Sequence, residues 1–314
     1  MIGRPRMTEK FSWEEICDKI LVDVGRENDN KFKEWLLSKE QKRFFDSRTY
    51  LVCYEIYKKI TCEQPRRDHF LVVTSKEGSG KSTLAAQIAS LVDPSFNANR
   101  VFFEPGKWFD FLSKAEPGQA CQLDEGNLFL FSREALTGNN KRILKIMALM
   151  RQKQTLTIIC VPNFWTMDTY VRKHRVDCTY YISKPGKFIY LNEFGTKYMG
   201  DKGSAKQSLS GLHFKPDVHY FGSNIADFPA CISPEDYSSK KLDNFQSLID
   251  DAKKDLTANL VEKKVAEPFY GLIEASKILN LNRGTVSKML RSGEIKARKY
   301  GVRWRIPESE LRVK

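Results

Sequence analysis

Gly78-Ser79-Gly80-Lys81-Ser82-Thr83 sets two glycines, a lysine and three hydroxyls together, just after the apolar run Leu71-Val72-Val73-Thr74. Glycines let successive backbone N–H groups converge on phosphate oxygens, the Lys81 ammonium suits β and γ phosphates, and the Ser82 hydroxyl can ligate Mg²⁺. Lys76, Gly78, Ser79, Gly80, Lys81, Ser82 and Thr83 are therefore the expected ATP-binding residues. Downstream, Ala120-Cys121-Gln122-Leu123 runs into Asp124-Glu125. At the end of a strand, Asp124 would share Mg²⁺ with Ser82, through water, and Glu125 would orient the water that attacks the γ-phosphate. The plain alternatives are a Gly-Ser surface turn and an ordinary acidic strand-to-helix turn.

Elements must hold these groups in place. Leu71–Thr74 reads as a buried strand, and Ser82–Val92 as a helix with Leu84, Ile88 and Leu91 on one apolar face. This strand, turn and helix are the context that the phosphate-loop pattern G-x-x-x-x-G-K-[ST] requires, although Ser75 stands where that pattern has its first glycine. Further strands are expected at Arg100–Phe103, Ala120–Leu123, Leu156–Val161 and Cys178–Ile182, and possible strand character extends over Gly186–Phe194. Helices are expected near Trp108–Leu112, Lys141–Arg151 and Phe164–Lys173. Strands alternating with helices argue for an α/β fold, with a largely parallel sheet covered on both faces. Residues 1–66 read as helices flanking that core, from the helical spacing of Trp13, Ile16, Ile20, Trp35, Leu36 and Tyr54. Gly195–Gly211 reads as a polar loop and 228–254 as amphipathic helix. The expected division is 1–66 helical, 67–252 nucleotide core, 253–267 linker and 268–314 a second domain.

The phosphate loop and the acidic pair resemble the P-loop ATPases whose sheet carries an extra strand and whose acidic pair closes a strand. Lys76-Glu77-Gly78-Ser79-Gly80-Lys81-Ser82-Thr83, Asp124-Glu125, Met150-Arg151 and Cys160-Val161-Pro162-Asn163 are similar to the FtsK/HerA translocases and their phage-encoded Zot-like relatives, over about residues 67–185. That resemblance implies an oligomeric ATP hydrolase with Lys81 and Glu125 catalytic. It also places Asn163 between the acidic pair and the γ-phosphate, where the translocases usually carry glutamine. As a residue, Asn163 is equally suited to capping the following helix. Arg172-Lys173-His174-Arg175 offers Arg172 as an arginine acting on a neighbouring subunit's γ-phosphate, or simply a basic helix end favoured by the macrodipole.

The last stretch is chemically distinct. Residues 268–314 hold eleven lysines and arginines against four glutamates. Leu272–Leu279 reads as a short helix, Asn280-Leu281 as a turn and Asn282 as the cap of a second helix, Arg283–Arg291. Ala275, Ile278, Leu281, Val286 and Leu290 are the expected shared core. Ile295–Arg298 and Val302–Ile306 read as a hairpin around Tyr300-Gly301. The order resembles the winged helix-turn-helix of excisionase-like and MerR-like domains, with Arg303-Trp304-Arg305-Ile306-Pro307 closing the wing. That resemblance implies Arg283, Thr285, Ser287, Lys288 and Arg291 in the major groove, and Arg298, Lys299, Arg303 and Arg305 on phosphates or the minor groove.

Composition agrees with such a partner. The chain has 314 residues, a formal net charge of +13, 41% apolar and 12% aromatic residues, which excludes a disordered chain and favours a polyanionic ligand. The seven cysteines are scattered without metal-ligand spacing and read as reduced thiols. The basic Met1–Arg6 leads into charged residues instead of an apolar signal core, so the expected place is the cytoplasm, the host's if the protein is viral, with no membrane span. The readings in play are a double-stranded-DNA-dependent ATPase of a motor, packaging or remodelling kind, from a virus or mobile element. A ParA-like nucleotide-switched partition protein, for which Lys76 speaks, is the alternative. A regulator with a merely structural phosphate loop is the third.

Overall fold

The computed structural model describes residues 12–39, 44–62, 67–124, 147, 150–202, 214–265, 268–301 and 303–311. Glu125, nearly all of the helix expected at 141–151, and the loop residues 203–211 lie outside the described residues. The chain divides into two compact units, Met1–Asn244 and Phe245–Lys314.

In the first unit, strands β1 (His69–Thr74), β2 (Val101–Phe102), β3 (Ala120–Leu123), β4 (Leu156–Val161), β5 (Cys178–Lys184), β6 (Lys187–Leu191) and β7 (His219–Ser223) form one sheet. Their order is β2-β3-β4-β1-β5-β6-β7. The first five are parallel, and β6 and β7 run antiparallel at one edge. All residues of β1, β3 and β4 are buried, as a parallel sheet packed on both faces requires. β4 separates the strand that feeds the phosphate loop from the strand that ends in Asp124, which is the extra-strand arrangement the family resemblance implies.

Alternation along β1 feeds two cores. Leu71 and Val73 pack with helices α1 (Trp13–Asp23), α2 (Asn30–Leu37), α3 (Ser47–Thr61) and α4 (Lys81–Val92), through residues such as Trp13, Leu36, Tyr54, Leu84 and Ile88. The amino-terminal helices therefore flank the sheet as expected and share its apolar cluster. Phe70 and Val72 face the other way, toward Trp108 and Leu112 of α5 (Pro105–Lys114), Val171 of α6 (Thr169–His174) and Met199 of α7 (Glu193–Lys202). Covered by the sheet on one side and by α3 on the other, α4 is buried all round from Leu84 to Val92, not along the single face that its spacing predicts.

Two local expectations are corrected. Gly195 and Gly200 lie inside α7, where a loop was expected from Gly195. Asn192 starts this helix by accepting from Gly195 N at 3.0 Å, and Glu193 pairs with Lys197 at 2.6 Å. A Cβ at Gly195 would meet the Val218 carbonyl at 2.8 Å, so the glycine serves close approach and not flexibility. The helix expected over Phe164–Lys173 is split into a 3₁₀ turn, Phe164–Thr166, and α6, because Asp168 caps Tyr170 N at 2.8 Å and restarts the helix.

At the far edge, Phe45 bridges to Asn224, and Asp46 takes the Ser223 N–H at 2.9 Å while donating its own N–H to the Ser223 carbonyl at 3.3 Å. The same Asp46 caps α3 by accepting from Thr49 N.

Helix α8 runs without interruption over Pro234–Val265, so most of the segment read as a linker is helical. In the second unit, α9 (Leu272–Ile278) and α10 (Arg283–Ser292) are followed by β9 (Arg298–Tyr300) and β10 (Arg303–Pro307), with β8 (Phe269–Tyr270) added in front. The small sheet has the order β8-β10-β9. Ala275, Val286 and Leu290 are core as expected, but Ile278 and Leu281 are 48% and 40% exposed, and Ile295, Ile306 and Leu311 fill the core instead. The hairpin pairs Arg298–Tyr300 with Arg303–Arg305, so Ile295 belongs to the core and not to a strand. This unit is a winged helix-turn-helix.

Candidate functional site

β1 ends at Thr74 and the chain turns through 75–80 into α4. Gly78 and Gly80 hold φ of +71° and +91°, a region that L side chains rarely adopt, and this explains glycine at both positions. Gly80 is the N-cap of α4 and supplies no side-chain bond, so the first N–H groups of a 12-residue helix have no capping partner from it. Such a terminus attracts anions through its free donors and its dipole. Ser75, where the pattern has its first glycine, does not have positive φ; it donates its hydroxyl to the Ile182 carbonyl at 2.7 Å.

Lys81 Nζ donates to the carbonyl oxygens of Ser75 at 3.0 Å and Lys76 at 2.9 Å, curling over its own loop. The Ser82 hydroxyl, in the first turn of α4, donates to Asp124 Oδ2 at 2.9 Å, although β1, which leads into that helix, and β3, which ends just before Asp124, are not neighbours in the sheet. A cavity of about 460 Å³ opens there, lined by Glu77–Thr83, Asp124, Pro162, Phe228, Tyr237 and Lys241. The Ser79 hydroxyl is buried with no hydrogen-bond partner among the described residues.

These features fit a magnesium nucleotide. An orphaned hydroxyl and uncapped helix amides would take phosphate oxygens, Lys81 is within its own loop's reach of them, and the Ser82 and Asp124 oxygens form a hard-donor set suited to Mg²⁺. Of the expected nucleotide residues, Gly78 to Thr83 line the cavity, whereas Lys76 contributes its carbonyl to Lys81 and is absent from the lining. Glu125 lies outside the described residues.

Asn163 and Arg172 are not among the lining residues. Asn163 Oδ1 accepts from Trp165 N at 2.9 Å, the capping geometry that the sequence left as one of its two readings. Arg172 Nε donates to the Met167 carbonyl at 3.0 Å, and burial pulls its pKa down. Its neighbours are engaged locally too: Lys173 pairs with Asp201 at 2.8 Å, and Arg175 forms a buried ion pair with Asp68.

Sequence reasoning missed the wall contributed by 228–241. Tyr237, near the start of α8, donates its hydroxyl to Asp124 Oδ2, the oxygen that Ser82 also uses. A tyrosine 113 residues from its partner leaves no spacing signal.

In the second unit, Asn282 caps α10 by accepting from Gly284 N at 2.8 Å, and Gly293 ends the helix with φ +84°. Arg283, Thr285, Lys288 and Arg291 are exposed and Ser287 is half-buried, while Val286 and Leu290 are held in the core. Arg298, Lys299, Arg303 and Arg305 are exposed on the hairpin, with the Lys299 ammonium 5.6 Å from the centre of the Trp304 ring. The structure thus brings both predicted basic groups to the surface of one small domain. Among the described residues no cluster suits a transition-metal ion, and no helix is long and apolar enough to cross a membrane.

The family described as a helix-turn-helix domain matches residues 269–313. No curated protein matches the chain. Among solved structures, the chain is similar to the N-terminal domain of zonular occludens toxin from Neisseria meningitidis, at 14% identity over 40% of this chain and 83% of that one, with a TM-score of 0.30. It is also similar to a chain of the HORMA:CdnC:Trip13 complex of E. coli MS115-1, at 16% identity over 65% of this chain and 69% of that one, with a TM-score of 0.28.

Proposed function

We propose that the protein is a DNA-binding ATPase that couples ATP hydrolysis to translocation, packaging or remodelling of double-stranded DNA, acting as a homo-oligomer for a virus or mobile element. The observation that carries this reading is the Ser82–Asp124 hydrogen bond at the mouth of an uncapped helix, beside a glycine turn and a lysine. That convergence supports a metal-bound triphosphate as the ligand. The basic helix-turn-helix in the same chain supplies the DNA side.

On this reading the amides of 78–83 and the Ser79 hydroxyl bind phosphate oxygens, and Lys81 exchanges its loop carbonyls for the β and γ phosphates. Glu125, next in sequence to Asp124, orients and deprotonates the attacking water. Arg172 is proposed as the residue acting in trans, and Asn163 as the polar group that senses the γ-phosphate; both would leave their present local bonds to do so. Arg283, Thr285, Ser287, Lys288 and Arg291 read bases, and Arg298, Lys299, Arg303 and Arg305 grip the backbone.

ATP turnover measured with and without duplex DNA, for the parent and Glu125→Gln, tests this. Hydrolysis stimulated by DNA and lost in Glu125→Gln is expected. Slow turnover indifferent to both DNA and the substitution would instead fit a nucleotide-switched partition protein and overturn the motor reading.

A further inference from the structure

Phe228, Tyr237 and Lys241 line the cavity together with the phosphate loop, and Tyr237 is held from several sides. The rings of Phe228 and Phe103 lie 4.9 Å and 5.9 Å from the Tyr237 ring, centre to centre. Upstream, buried Gln87 donates to the carbonyls of Ile225 at 2.9 Å and Asp227 at 2.6 Å. Downstream, Lys240 donates to the Ala98 carbonyl at 2.8 Å and to Asn99 Oδ1 at 3.0 Å. The tyrosine is thus delivered to Asp124 by a segment clamped at both ends, and its hydroxyl ends on the carboxylate.

Two hydroxyls on one carboxylate oxygen are not equivalent. Ser82 can donate its proton to Asp124 and still offer lone pairs to a metal. A phenol in the same position fills an acceptor site that a metal-bound water would need.

Resting on the nucleotide site proposed above, we infer that Tyr237 is a positioning residue for the metal: its hydroxyl and a Mg²⁺-bound water compete for the Asp124 carboxylate. Tyr237 satisfies Asp124 before the metal arrives and sets how much Mg²⁺ the nucleotide complex requires. Nucleotide without metal brings no metal-bound water to Asp124 and so meets no such competition.

The full chain is titrated with a fluorescent ATP analogue in EDTA, and then with Mg²⁺ at fixed analogue, for the parent, Tyr237→Phe and Lys81→Ala. Tyr237→Phe keeps the ring and removes only the competing donor. Its affinity in EDTA is expected to equal the parent's, while the Mg²⁺ needed for half-maximal effect falls about threefold to tenfold, the span of one net hydrogen bond. An unchanged or higher Mg²⁺ requirement overturns the competition. Lys81→Ala separates the two failures: if it binds the analogue like the parent, the nucleotide reading itself falls, and if it does not, only the role of Tyr237 is at stake. A second measurement needs no substitution. Release of Tyr237 from Asp124 loosens the first turn of α8, so amide exchange over 234–241 in the parent should rise with Mg²⁺ and nucleotide but not with nucleotide in EDTA; exchange unchanged by Mg²⁺ overturns the inference.

Discussion

Ser75 donates its hydroxyl to the carbonyl of Ile182 across 2.7 Å, tying the start of the phosphate loop to β5. Ser75 is buried and its backbone lies outside the left-handed region, so glycine has no conformational advantage there. Ser75→Gly, which restores the usual pattern, is expected to lower stability by about 1 kcal/mol through the lost bond and the gain in unfolded-chain freedom. Nucleotide affinity should stay within twofold. Urea unfolding and analogue binding check both halves, and a gain in affinity would show that the serine is a compromise and not a tether.

The opposite holds at Gly80, whose φ of +91° no L side chain adopts comfortably. A Cβ there would meet nothing within 4 Å, so the penalty of Gly80→Ala is conformational and not steric. Destabilisation of about 1–2 kcal/mol is expected, together with weaker nucleotide binding as the loop amides turn away. Thermal unfolding with and without nucleotide should show a smaller ligand-induced rise in Tm than in the parent.

Asp68 and Arg175 are buried together, and the guanidinium also lies 4.5 Å from the Phe70 ring centre. Removing one charge strands the other: Asp68→Asn or Arg175→Met is expected to cost about 3–5 kcal/mol. The double change Asp68→Leu with Arg175→Met should be far milder than the sum. Denaturant unfolding of the three variants measures this, and additive losses would show that the pair acts through separate contacts.

Burial, helped by Lys59, lowers the pKa of His69 to about 3. Between that value and about 6.5 the unfolded chain binds a proton that the folded one refuses, so this contribution is complete above pH 6.5 and is lost as pH falls toward 3. Asp177, whose carboxyl is raised by burial, works in the reverse sense over the acidic part of the window. Net loss of stability from pH 7 to pH 5 is expected, and His69→Gln should flatten it. Equal slopes for parent and variant in urea unfolding at the two pH values would remove His69 as the cause.

On the wing, Lys299→Ala or Arg303→Ala should weaken DNA binding alike for all sequences and reduce the magnitude of the log–log salt slope by about 0.9 each. Lys288→Ala, on the second helix, should instead narrow the gap between a preferred and a random duplex by about 1–3 kcal/mol. Fluorescence anisotropy at several salt concentrations distinguishes these outcomes.

Local chemistry was the legible part. Gly78 and Gly80 announce the tight turn into α4 because each takes a backbone conformation that glycine allows, and Asn282 marks the start of α10 by its capping ability. What stayed hidden depends on partners distant in sequence. Glycines at 195 and 200 read as loop until the Val218 carbonyl and Asn192 cap are seen. Ile278 and Leu281 obey helical spacing, yet lose their core places to Ile295, Ile306 and Leu311 from outside the helix pair. Tyr237 is invisible for the same reason, since one tyrosine in an amphipathic helix resembles any other until the sheet brings Asp124 to it.

The two bonds by which Asp46 engages Ser223 close the carboxy-terminal end of the last strand against another chain. Strand edges left open invite lateral joining of like molecules. The amino-terminal segment therefore works as a stopper as well as a flank, and a truncated chain beginning after it would be more prone to join edge to edge.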